Sequence, residues 1–102
     1  MSEEMAEKVR RFGNTSYFLY KDPTDSVIKV CVYRRYTLIL QVNVTANSIR
    51  VSSTKLVRYD DLYEVERLLK GVLPEQVLLL EILQKAILSQ DGVVEVGFEE
   101  GK

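Results

Sequence analysis

The segment VIKVCVYRRYTLILQVNVTANSIRVSSTK, residues 27–55, decides the fold of this chain. It is rich in β-branched residues and alternates apolar with polar side chains, which is typical of strands that bury one face. Short polar interruptions divide it into three parts, and each part has the length of an ordinary strand. The predicted strands are residues 27–33, 37–45 and 49–57.

The interruptions also predict how these strands pair. A two-residue turn at 46–47 would place Val44 opposite Ile49, and a three-residue RRY loop would place Val32 opposite Leu38. Both choices bring apolar residues together, and such agreement normally fixes the register of a hairpin. The face predicted to be buried carries Ile28, Val30, Val32, Leu38, Leu40, Val42, Val44, Ile49 and Val51. The opposite face is predicted to carry polar, basic and aromatic side chains.

The sequence on either side of this segment predicts the remaining elements. Before it, the aromatic residues 17–20 indicate a strand, and residues 2–12 read as a short helix that Gly13-Asn14 ends. After it, the spacing of apolar residues becomes helical, and Gly71 and Pro74 separate two helices. The predicted helices are residues 60–70, capped by Asp60 or Asp61, and residues 74–90, and the last strand is residues 93–98.

Strands in one run and helices in another predict a single α+β domain over residues 1–102. Its core would be a four-stranded antiparallel β-meander covered on one face by two C-terminal helices, with a short N-terminal helix and a short last strand. The order of strands followed by a Leu-rich helix resembles, in organisation and without a shared motif, small single-stranded nucleic-acid-binding dimers of the transcription-coactivator type. The resemblance concerns organisation alone, and a fold by itself does not give a function.

Charge is divided unevenly between the two halves of the chain. Residues 1–58 carry ten Lys and Arg against five Asp and Glu, whereas residues 59–102 carry four against ten. The overall formal charge of −1 hides this division. A basic sheet joined to an acidic helical region indicates a binding surface more than an active site.

The composition also argues against most enzyme chemistry. The chain has no histidine and one cysteine, Cys31, so the usual general base and a structural zinc site are missing. The pairs Asp60-Asp61 and Glu99-Glu100 are explained as a helix cap and a solvated tail. We therefore predict no enzyme activity, no catalytic residue, no cofactor and no metal. One cysteine and no apolar signal segment favour an intracellular, cytoplasmic protein that does not enter a membrane.

The polar sheet face and its loops suggest a partner. Cations can follow a phosphate backbone and tyrosine rings can stack on bases, which suits single-stranded DNA or RNA. The alternative for this face is solvation alone. The predicted nucleic-acid-binding residues are Lys29, Tyr33, Arg34, Arg35, Tyr36, Asn43, Arg50, Lys55 and Arg58.

The last predicted helix has more apolar surface than one sheet can cover. A helix packed on a sheet needs an apolar stripe of roughly 100° or somewhat more, but residues 74–90 are apolar over more than half of the wheel. Surplus apolar surface often marks an interface, so we predict a homodimer through Leu79, Leu83 and Ile87. The alternative function is a protein-interaction adaptor that holds a partner peptide or helix at the sheet edge or the helix groove.

Overall fold

A computed structural model describes residues 6–22, 24, 27–70, 72, 79–89 and 92–97. Within these residues the chain forms an antiparallel sheet and two helices, which confirms the α+β class. The sheet has six described strands instead of the predicted four, and sequence order is also spatial order. The elements are β1 Lys8–Phe12, β2 Thr15–Asp22, β3 Val27–Arg34, β4 Thr37–Val44, β5 Ser48–Ser53, α1 Tyr59–Leu69, α2 Leu79–Leu88 and β6 Val93–Gly97.

The prediction of an N-terminal helix is wrong, because residues Lys8–Phe12 form strand β1. Gly13, with φ of 60°, makes the tight turn that pairs Phe12 with Thr15. Arg10 Nε lies 2.9 Å from the carboxylate of Glu64 on α1. A helix of eleven residues is marginal by itself, whereas pairing with β2 satisfies one edge of the backbone of β1. Residues 2–5 of the prediction lie outside the described residues.

The turn between β4 and β5 gives the predicted register. Val44 lies opposite Ile49, and Val42 lies opposite Val51. The register between β3 and β4 is wrong by two residues, since Val32 lies opposite Leu40. The connection there is the two-residue turn Arg35-Tyr36, because Arg34 already pairs with Thr37.

A β-bulge in β4 explains why the apolar faces still match. The short turn alone would pair Val32 with Ile39 and put the following residues of β4 on the wrong face. The register shifts by one residue between Val32 and Tyr33, which leaves Ile39 as the extra residue. Ile39 is therefore 1% exposed, although it was not among the residues predicted to be buried. Leu38, predicted in the core, lies opposite Tyr33 and is 38% exposed.

The helices cover one face of the sheet and close the core. Residues from β2 to β5 and from both helices form one buried apolar cluster, and Val94 and Val96 of β6 pack against it. Ser53 Oγ donates a hydrogen bond of 3.1 Å to the carbonyl of Ala86, joining β5 to α2. The predicted ends of this helix at Pro74 and Gln90, and the end of the last strand at Phe98, lie outside the described residues.

Candidate functional site

The face of the sheet that the helices leave uncovered, termed the open face, is built of three rows of cross-strand neighbours. Side chains in adjacent rows are two residues, or about 7 Å, apart along each strand, except at the bulge of β4, where Leu38 and Gln41 are three residues apart. The first row is Tyr20, Lys29, Asn43, Arg50 and Glu95; the second is Val9, Phe18, Cys31, Gln41, Ser52 and Val93; the third is Arg11, Ser16, Tyr33 and Leu38. The rows place aromatic, amide and cationic groups on one surface.

Three half-buried aromatic rings lie together on this face. The rings of Phe18 and Tyr20 are stacked with centroids 6.3 Å apart, and Tyr33 meets Phe18 edge to face at 5.8 Å. The ammonium of Lys29 lies 5.2 Å from the centroid of the Tyr20 ring. Packed rings lose little conformational freedom when a ligand stacks on them. This aromatic cluster is thus a preorganised platform with a cation at its border.

The structure brings four predicted binding residues together on the open face: Lys29, Tyr33, Asn43 and Arg50. Sequence reasoning missed Phe18, Tyr20 and Arg11. Phe18 and Tyr20 were missed because the register between β2 and β3 was not predicted. Arg11 was missed because β1 was predicted as a helix. The alternation within residues 17–20 already placed the first two rings on one face of a strand.

Arg34 lies on the face covered by the helices and is engaged there in a buried ion pair. Its Nη2 donates to both carboxylate oxygens of Asp61, at 2.7 and 2.8 Å, and its Nη1 donates to the carbonyl of Leu56 at 2.6 Å. The side chain is 15% exposed and that of Asp61 is 2% exposed. A guanidinium held this way is a structural cation, so Arg34, a predicted nucleic-acid-binding residue, is paired within the fold and does not lie on the open face.

Asp61 gathers further donors and fixes the start of α1. It accepts hydrogen bonds from the Tyr17 hydroxyl at 2.7 Å and from the backbone N–H of Arg58 at 2.9 Å. The N-cap residue is Arg58, so the prediction that Asp60 or Asp61 occupies that position is wrong; Asp61 is the third residue of the helix and accepts the Arg58 N–H from there. Burial and the hydrogen bond to Asp61 raise the pKa of Tyr17 well above its ordinary value.

The remaining predicted cations collect at one end of the sheet. Arg35 and Tyr36 form the β3–β4 turn, and Lys55 and Arg58 lie in the loop between β5 and α1. Together with Arg11 they form an exposed group that we term the basic end: Arg11, Arg35, Tyr36, Lys55 and Arg58. None of its four cationic side chains forms an ion pair with another residue that the structure describes.

Two of the three predicted dimer contacts are buried within the chain itself. Leu79 is 6% exposed and Leu83 is fully buried, and both belong to the apolar core. Ile87 is partly buried against that core, while the neighbouring Leu88 is 78% exposed. Leu79 and Leu83 therefore complete their own domain, because the sheet and α1 cover them. Dimerisation stays a prediction.

Other kinds of site receive no support from the described residues. Among them, no group of three or more acidic or cysteine side chains is arranged to hold a metal ion. Cys31, in the second row of the open face, is buried. Neither α1 nor α2 is long and apolar enough to cross a membrane, in the part of the chain that the structure describes.

Comparison with known proteins gives no relative for this chain. No protein-family model, no curated protein and no solved structure matches it.

Proposed function

We propose that this protein binds single-stranded nucleic acid, DNA or RNA, on the open face, and that it acts without catalysis. The observation that carries the proposal is the aromatic cluster of Phe18, Tyr20 and Tyr33, which shares one sheet face with Lys29 and Arg50. Aromatic rings on an open antiparallel sheet offer stacking platforms for unpaired bases, and nearby cations follow the phosphates.

The polar groups between these residues suit a ligand that is partly polar and flat. Gln41, Asn43 and Ser52 lie in the centre of the open face, half-buried, where amide and hydroxyl groups can bond base edges. Arg11 and Arg50 are exposed at different borders of this area, where they can contact phosphates at separate points along the strand. A single strand supplies both features, because its bases are not already stacked inside a duplex.

Anisotropy titrations with labelled oligothymidylate, oligouridylate and a duplex of equal length test the proposal. Binding of the single strands should weaken steeply with salt, by a slope of about 0.7 for each neutralised phosphate. Tyr33→Ala should weaken binding by about 1–3 kcal/mol, the usual contribution of one stacked base. Arg50→Ala should weaken binding and lower the salt slope by about 0.7.

The matched controls lie on α1 and at its C-terminal end, away from the open face. Tyr63 is 50% exposed and Lys70 is exposed, so Tyr63→Ala and Lys70→Ala remove a ring and a charge of the same kinds. Both variants should bind as the wild type does. The proposal is refuted if the wild type shows no binding at low salt, or if Tyr63→Ala weakens binding as much as Tyr33→Ala.

A second candidate is an adaptor that adds a partner strand at β1. All five residues of β1 are exposed, and Lys8 and Arg11 would favour an acidic peptide. Backbone NMR shifts confined to residues 8–12 on addition of an extended acidic peptide, with no response to oligonucleotides, would favour this function over the first.

A further inference from the structure

The basic end is assembled by contacts between elements that are distant in sequence. The backbone N–H of Arg35 donates to the carbonyl of Asn14 at 2.7 Å, which joins the β3–β4 turn to the β1–β2 turn. The bond from Arg34 to the carbonyl of Leu56 brings the β5–α1 loop to the same place. Arg35 of the turn and three further exposed cations, Arg11, Lys55 and Arg58, therefore lie at the end of the sheet that carries the third row of the open face.

The first residue of the β3–β4 turn, Arg35, has a backbone conformation that is unfavourable for a residue with a side chain. Arg35 has φ of 59°, and no other non-glycine residue that the structure describes has a positive φ. Two-residue hairpin turns usually place Gly or Asn there, because a Cβ is strained in this conformation. Glycine at position 35 would relieve this backbone strain. The presence of arginine there is a reason to look for a function of the Arg35 side chain.

Tyr36, the second residue of the turn, is 99% exposed. A ring wholly in water adds no packing to the fold, unlike Tyr17 or Tyr33, whose rings contact other rings. Tyr36 follows Tyr33 of the aromatic cluster by three residues, because β3 ends at Arg34 and the turn comes next. The ring is thus exposed beyond the third row of the open face, at the same end of the sheet as the cations of the basic end.

We propose that a bound single strand passes the third row and continues onto the basic end, where Tyr36 stacks on one further base. Arg35, Lys55 and Arg58 then contact the phosphates on either side of that base. This inference rests on the proposed function, and it adds a second subsite that only a longer strand can reach. The basic end is cationic and therefore complements a polyanion. The phosphodiester chain of a strand bound on the open face is such a polyanion, and it can continue directly onto the basic end.

Two oligothymidylates, of four and ten nucleotides, separate the two subsites. The short strand fits the open face and the long strand also reaches the basic end. Tyr36→Ala should weaken binding of the ten-nucleotide strand about fivefold or more and leave binding of the four-nucleotide strand unchanged. Tyr33→Ala should weaken binding of both strands, and Tyr63→Ala should weaken neither.

Arg35→Gly supplies a readout that a merely structural turn would not give. The substitution relieves the positive φ, so the melting temperature should rise, while affinity for the ten-nucleotide strand should fall and become less salt-dependent. The second subsite is refuted, with the proposed function intact, if both strands bind and Tyr36→Ala affects them equally or not at all. If neither strand binds, the proposed function and this inference both fail.

Discussion

Removal of the Asp61 carboxylate should cost a large part of the stability of the fold. Asp61→Ala leaves the guanidinium of Arg34 without its anion and the hydroxyl of Tyr17 without its acceptor, in a site where Asp61 is 1% exposed. Loss of one partner of a buried ion pair costs about 3–5 kcal/mol. Domains of this size are stable by roughly 5–15 kcal/mol, so the variant is expected to be marginal.

Urea unfolding followed by circular dichroism measures the effect. With an m-value of about 2 kcal/mol per molar, a loss of 3–5 kcal/mol lowers the midpoint by roughly 2 M. Asp60→Ala is the matched control, because Asp60 is the exposed neighbour in the same helical turn. Its loss should change stability by no more than about 0.5 kcal/mol.

A double substitution tests whether the ion pair itself is responsible. Arg34→Met with Asp61→Leu replaces both charges by apolar groups, and such replacements of buried pairs are often neutral or stabilising. The double variant should therefore recover the part of the stability loss that comes from the unpaired Arg34 guanidinium, while the Tyr17 hydroxyl still lacks its acceptor. A loss below about 1 kcal/mol for Asp61→Ala would refute the reasoning, because the carboxylate would then contribute no more than an exposed pair.

Two further predictions concern the bulge and the buried tyrosine. Ile39→Ala should destabilise the fold by about 2–5 kcal/mol and Leu38→Ala by less than about 1 kcal/mol in urea unfolding, because only Ile39 is in the core; the reverse order would show an unbulged strand. Above about pH 10 an unfolded chain loses the tyrosine proton while folded Tyr17 keeps it, so the unfolded state binds fewer protons and stability falls as pH rises. Urea unfolding between about pH 9 and pH 11 should show a shallower decline for Tyr17→Phe than for Tyr36→Phe, and equal slopes would contradict the raised pKa.

Much of the open face could be predicted from alternation alone. The period of two in residues 27–55 placed Lys29, Tyr33, Asn43 and Arg50 on the face opposite the core, and the structure agrees. A register error of two residues leaves every side chain on its face, which is why the wrong pairing of β3 with β4 did little harm. The bulge moves side chains by one position, so Leu38 and Ile39 exchange environments.

The site residues that sequence reasoning missed depend on partners far away in the chain. Arg11 and Phe18 join the open face only because β1 and β2 add to the meander at its edge. Arg34 leaves the predicted site because Asp61, 27 residues away, binds it. No local pattern distinguishes Arg34 from Arg35, although one is paired and the other is exposed.

The sequence by itself determined the period of each main element, the α+β class and the β4–β5 turn, because these depend on side chains within a few residues of one another. Only the tertiary structure decided that β1 is a strand, that Ile39 bulges into the core, and that Arg34 serves the fold instead of a ligand. In each case two local conformations, or two partners of a side chain, have similar local energies. A contact with an element distant in sequence decides which of the two forms. In this protein those contacts are the pairing with β2, the helix layer over β4 and the buried carboxylate of α1.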